Sequence, residues 1–502
     1  MRRQILVLLL LAVFAAPAFG VGQTKPLDCT QILAWLSGDV SNVRLSELTR
    51  QYGFSGVLTA QDVTALEQAG AQAELIQAIR ASADPQNPDT ACPDRLRRAG
   101  WLARQKQYED AEDLVRDLIG NDPQNAALHF ALGALRVHEG DIDEGFDEFT
   151  TSKELMPGLP ETHSRLADIF YRSNDGESTI GEARTALSIN PGNAEAYRFL
   201  GLGLEANTHY DAALHALEKS LEREPSSADA HYDIGVVLQD KEDYRGAVAA
   251  YRRSIELNPN FWEAHNSLGM LLHRQKQNAA AIEEFTEAKA LAPQEPSIRN
   301  DLANTLYDKG DLDGAQREFR ELYAMHSDWR FGHDTLAKIL MAKHDYPAAI
   351  SEFQVAIEQN PTASESHRLL GQCWLMLKQT REALRELQIA VELGPDSWLS
   401  HHYLGTALFD IQKFYAASKE FHEALRLQPT ADNHYALAAC LITMGDYDEA
   451  LAELNTAAHL EPARDLYQQR REELMKLMEA GKSRHVEIPS HFEIGSGSPP
   501  GK

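Results

Sequence analysis

Apolar and polar positions alternate along this chain with the period of a helix, and they do so in blocks that recur. The segments HYDAALHALEKSLEREP, YRGAVAAYRRSIELNP, NAAAIEEFTEAKALAP and YPAAISEFQVAIEQNP each set apolar residues three and four apart, and each stops at a proline, which cannot continue a helix. The prolines Pro123, Pro157, Pro191, Pro225, Pro259 and Pro293 stand thirty-four residues apart; Ser327 takes the next place, and Pro361, Pro395 and Pro429 resume the spacing. A last proline, Pro462, comes one residue early. A period of 34 is the length of one helix-turn-helix unit.

With the proline numbered 32 within each unit, two restricted positions emerge. Position 8 is small throughout: Ala99, Gly133, Ala167, Gly201, Gly235, Gly269, Ala303, Ala337, Gly371, Gly405 and Ala438. Position 20 is nearly as restricted, from Ala111 and Gly145 to Ala417 and Ala450, whereas position 24 is usually large, as in Phe149, Tyr251, Phe285, Phe319, Phe353 and Phe421. Glycine inside a helix costs about 1 kcal/mol relative to alanine, so six of them at one position predict the close approach of a second helix. Each unit is therefore expected to be two antiparallel helices joined by a polar turn such as KEDY. Its apolar face is buried only by its neighbours.

Small residues at positions 8 and 20, alanine often at 27 (Ala288, Ala356, Ala390, Ala424, Ala457) and proline at 32 resemble the tetratricopeptide repeat, over Cys92 to Glu461. The departures are local: Arg98 at position 7 of the first unit, Thr179 at position 20 and Ser327 at the proline slot. The resemblance implies an all-α fold, a right-handed superhelical solenoid of about eleven repeats. It also implies that positions 2, 5, 9 and 12 of the first helices line a concave groove in which a protein or peptide partner lies. Those positions hold Asp168, Arg198, Tyr232, Glu263, Asn266, Asn300, Asn304, Tyr307, Lys338, Arg368, Gln372, His402 and Thr406. Their mixture of amide, aromatic and charged groups suits an extended peptide backbone. The variant that clamps acidic chaperone tails does not carry over: Asn300, Thr335, Glu365 and Leu369 stand where it needs lysine, asparagine, lysine and arginine. The expected function is that of a non-enzymatic interaction scaffold; the rivals are an accessory subunit of a cell-envelope enzyme or assembly machine, and a self-associating structural rod.

Four segments lie outside the array. Residues 1–20, MRRQILVLLLLAVFAAPAFG, put two arginines before an apolar run that closes on small residues, the pattern of a secretory signal peptide; the body is then expected to be exported to a bacterial periplasm or beyond, with no span left after cleavage. Residues 27–83 form a small helical module, with a glycine after SNVRLSELTRQY and a Thr59 to Asp62 capping pattern. Residues 462–482 are expected to be a capping helix, and residues 483–502 lack the periodicity to fold.

The chain carries 48 basic and 75 acidic residues, a net charge of −27, which argues against nucleic acid as partner and suits a basic or neutral one. A helix-turn-helix reader in the module would have only Arg44, Arg50 and Arg80 as cations. No GxSxG, phosphate loop, HExxH or CxxC is present, so no catalytic residue, cofactor or metal is assigned. Position 4 holds a column of histidines, His129, His163, His231, His265, His333, His367, His401 and His434. Successive repeats stand too far apart for these rings to share a metal ion, and they are expected to be buried, neutral packing groups with lowered pKa. Cys29 and Cys92 flank the module and would bridge it in an oxidising compartment, whereas Cys373 and Cys440, two repeats apart, cannot pair.

Overall fold

The computed structural model describes residues 26–84 and 92–481; the leader and the tail lie outside them. Among the described residues there are twenty-seven helices, twenty-two of them in eleven consecutive pairs, and the chain divides after Asn258 into two compact units.

The amino-terminal unit begins with the module, whose helices are α1 (Cys29–Ser37), α2 (Asn42–Tyr52), α3 (Ala60–Ala69) and α4 (Ala73–Ser82). Gly53, at φ +80°, ends α2, and Thr59 and Asp62 exchange the two hydrogen bonds of a capping box at the start of α3. A two-residue parallel pairing of Phe54–Ser55 with Ala83–Asp84 closes the module, and a disulfide joins Cys29 to Cys92, with alpha carbons 5.1 Å apart. Trp35, Leu45, Leu66 and Ile79 fill its centre, and that core runs on into the first repeats through Phe130, Leu135 and Phe149.

Three local features recur in the hairpins of the array, the third in five of them. The first is steric: a Cβ built on Gly235 would stand 2.5 Å from the Tyr251 ring, and those on Gly269 and Gly405 would stand 2.8 Å from Phe285 and Phe421. Position 8 is small because position 24 lies directly on it. The second is conformational, for position 15 turns left-handed in all eleven repeats, at Lys106, Gly140, Asn174, Thr208, Glu242, Lys276, Gly310, His344, Lys378, Gln412 and Gly445. That turn ends the first helix and aims the chain back along it. The third is a cap at position 16, where Asp141, Asp175, Asp243, Asp311 and Asp345 accept a hydrogen bond from the backbone N–H three residues on and start the second helix.

The carboxyl-terminal unit holds repeats 6 to 11 (262–464) and a last helix, Asp465–Gly481, which buries Tyr467 and Leu474. Tyr467 Oη donates to Asp432 Oδ1 at 2.7 Å, so this helix is tied to the last repeat by polar as well as apolar contact. The array falters at Ser327: the chain loops through Trp329 and Phe331, Gly332 takes φ +91°, and the first helix of repeat 8 shortens to His333–Ala342. Here the next first helix starts at position 4 rather than position 1, its register unchanged, and Phe331 is left 65% exposed.

Candidate functional site

The candidate residues divide between the two units, each with its own chemistry. In the amino-terminal unit, Asp168 is half-buried and accepts from Arg172 Nε at 3.1 Å. Arg198 is committed inside the protein: its Nη1 donates to Asp233 Oδ2 at 2.9 Å and its guanidinium lies 4.7 Å from the Phe199 ring centre. Burial alone would lower the Arg198 pKa, but Asp233, Asp229 and Glu195 outweigh it and hold the cation charged. The sequence offered Arg198 as a partner contact; the structure spends it on a buried ion pair. Tyr232 packs its ring 5.5 Å from Tyr251. Sequence reading passed over Glu205 at position 12, whose carboxyl burial and a hydrogen bond with Asp240 push up to about 7.

In the carboxyl-terminal unit the inner positions are rich in amides and cations. Glu263, Asn304 and Tyr307 are half-buried, Asn266 and Gln372 are buried, and Asn300 Nδ2 donates to Asp301 Oδ1 at 3.2 Å. Lys338 Nζ lies 2.7 Å from Asp334 and 3.6 Å from Glu365, which together more than offset the burial that would lower its pKa. Arg368 is different. Its carboxylate contact is Glu365 at 3.5 Å, and burial leaves its pKa below the ordinary arginine value despite the attraction of Tyr403, Glu365 and Asp334. His402 Nδ1 pairs with Asn433 Oδ1 at 2.7 Å, burial lowers its pKa, and the Thr406 hydroxyl donates to the His402 carbonyl at 2.9 Å. Those last two side chains serve the helix and its neighbour, which sequence position alone did not show.

The histidine column does more than pack: most of its rings are hydrogen-bonded across the hairpin. His129, His163, His265, His333, His367, His401 and His434 each hold Nδ1 against a glutamate nineteen residues on, at 2.5 to 2.8 Å: Glu148, Glu182, Glu284, Glu352, Glu386, Glu420 and Glu453. In five of them Nε2 also meets the carbonyl of the preceding proline slot, as His265 does with Pro259 at 3.2 Å. The hydrogen bond to Glu284 raises the His265 pKa, the reverse of the lowering that burial alone would bring. His231 has Ala250 where the glutamate would stand, and there burial does lower the pKa. In repeat 7 the same slots hold Arg299 and Glu318, 2.9 Å apart.

Cys373 and Cys440 are free and buried, and burial pushes both thiols up to about 12, which leaves them unreactive. Among the described residues, no group of three or more histidine, cysteine, aspartate or glutamate side chains is placed to hold a metal ion, and no helix is long and apolar enough to cross a membrane.

Two family models, both described as tetratricopeptide repeat, match the sequence, one over residues 101–159, 200–241, 232–296 and 403–465 and the other over 340–406. The chain is built of tetratricopeptide repeats. This array is similar to cellulose synthase 2 operon protein C of Komagataeibacter xylinus, 30% identical over 95 residues; the match takes in 18% of this chain and 7% of that much longer protein. Among solved structures it is similar to yeast Tom70, at 16% identity and a TM-score of 0.31 over 77% of this chain and 94% of that one. It is also similar to the Cut9–Hcn1 hetero-tetramer of the APC/C, at 12% identity and a TM-score of 0.40 over 76% and 84%.

Proposed function

We propose that the chain is a non-enzymatic scaffold whose inner face in the carboxyl-terminal unit binds an extended segment of a protein partner. Arg368 carries this reading. It is an inner-face guanidinium, 12% exposed, with its nearest carboxylate at 3.5 Å, beyond the range of a good charge-assisted hydrogen bond. A partner carbonyl or carboxylate would complete its shell, while Asn304 and Tyr307 offer donors and acceptors to a backbone. Export to the cell envelope is part of the same proposal, supported by the Cys29–Cys92 disulfide, a bond that persists in oxidising compartments.

The test is affinity capture from the host's envelope fraction with the chain beginning at Val21, alongside a variant with Asn304→Glu and Arg368→Glu. A partner captured by the parent and lost from the variant supports the reading; a partner held equally by both removes it. A second reading, an accessory subunit of an envelope enzyme, is favoured by the likeness to the cellulose synthase operon protein. Capture of one folded enzyme rather than short segments would decide for it.

A further inference from the structure

The inner face of repeats 2 and 3 is already occupied. The turn after α1 and the first turn of α2 lie on it, held by contacts that specify sequence rather than bulk. Gly38 lies so close to the first helix of repeat 2 (Ala126–Glu139) that a Cβ there would come within 2.7 Å of Phe130. The carbonyls of Gly38 and Asp39 both accept from Arg165 Nη2, at 3.3 and 3.2 Å. The Asp39 carboxylate meets His138 Nε2 at 2.5 Å; burial alone would raise its pKa, but the His138 hydrogen bond and charge leave it below the ordinary value. Arg44, five residues on, pairs through Nε with the buried carboxylate of Glu161.

Phe130 and Glu161 stand at positions 5 and 2, and His138 and Arg165 at positions 13 and 6. An apolar lid would need none of the polar contacts. A guanidinium on two backbone carbonyls, an imidazole on an aspartate and an acid on an arginine are instead the contacts by which a groove reads a bound segment. Beside them a cavity of about 300 Å³ stays open, bounded by Asp39, Arg165, Asp168 and Arg172. The groove of this unit therefore ends against its own occupant.

We propose that the inner face of repeats 2 and 3 is a recognition site for a glycine-aspartate turn followed five residues later by an arginine, and that Gly38–Asp39 and Arg44 fill it in cis. A protein partner presenting the same turn and arginine takes the site when the module is displaced. This inference rests on the reading of the inner face as a binding surface, but on a different part of it from Arg368.

The probe is a fluorescent peptide of residues 35–47, WLSGDVSNVRLSE, titrated against the chain beginning at Val21 and against its variant with Gly38→Leu, Cys29→Ser and Cys92→Ser, which expels the turn. The expected result is binding at least tenfold tighter to the variant than to the parent, lost again in a peptide with the aspartate changed to lysine. Equal binding to both proteins, or none to a variant whose circular dichroism shows the array intact, would overturn the proposal and leave the module a structural cap. Should the variant fail to fold, a charge swap decides. Arg44→Glu alone should speed hydrogen exchange in the first helix of repeat 3 (Pro160–Arg172), and adding Glu161→Arg should restore it; no restoration counts against the site. In the variant that expels the turn, Asn304→Glu with Arg368→Glu should leave peptide binding unchanged, so the two proposals fail separately.

Discussion

Gly235 puts the hairpin geometry to a quantitative test. Its Cβ position is 2.5 Å from Tyr251 Cε1 and 2.6 Å from Cδ1, about 1 Å inside ordinary carbon contact. Tyr251 is 1% exposed and its hydroxyl donates to Gln239 at 3.3 Å, so the ring cannot swing into solvent to make room. Alanine would gain about 1 kcal/mol in helix propensity and lose a similar amount to the ring, for a net change near zero. Ala303 beside Phe319 and Ala337 beside Phe353 show the array tolerating that pair. Leucine adds three more carbons to a filled space, and Gly235→Leu should destabilise by about 3 kcal/mol, the upper end of overpacking costs. Because repeat arrays need not unfold in one step, the assay is urea denaturation followed by circular dichroism together with hydrogen exchange resolved by repeat. A leucine variant that unfolds at the parent's midpoint, or that loses protection elsewhere than in repeats 4 to 6, would refute the packing of position 8 on position 24.

Titration by NMR should place His265 above the ordinary imidazole value of about 6.5 and His231 below it. The signs then differ: stability from His265 is fully present below the unfolded pKa and lost as pH rises through the folded one, whereas stability from His231 is present above the unfolded pKa and lost as pH falls. Equal pKa values for the two rings would show that the glutamate has no effect. Replacing Cys29 and Cys92 by serine opens a closed loop with a sequence separation of 63 and should cost the module about 4 kcal/mol, read as loss of protection in α1 to α4 before the array unfolds. Asp243→Ala removes the cap of the second helix of repeat 5 (Tyr244–Leu257) and should cost about 1 kcal/mol; an unchanged urea midpoint would mean the cap is replaced by solvent.

The period, the hairpin and the small-on-large packing were legible because each is written as a side-chain size at a fixed spacing. The histidine links were legible in part. Position 4 could be seen as a column, but its partner sits on the other helix of the hairpin, nineteen residues away. Only the rotation of one helix about the other reveals that Glu284 faces His265. That omission reversed the expected sign of the pKa shift. The docking of the module left a fainter trace: in repeats 1 and 2 several inner positions are apolar or minimal, at Gly100, Phe130 and Ala134. A Cβ on Gly100 would come within 3.0 Å of Ala69, so the small residue marks a covered surface.

The histidine links also bear on how such a chain changes length. Where both ring nitrogens are used, His265 and its counterparts take a side chain from their own repeat but only a main-chain carbonyl from the one before. A carbonyl is the same whichever residue carries it, so this part of each joint does not depend on what its predecessor encodes. A 34-residue block that is duplicated or deleted finds this one joint matched, whereas side-chain pairs between repeats such as Arg198 with Asp233 depend on the neighbour. So far as that joint goes, gene rearrangement is free to tune the number of units, while the amino-terminal end, joined through Asp39, Arg44 and the disulfide, can be neither copied nor moved without losing its fit.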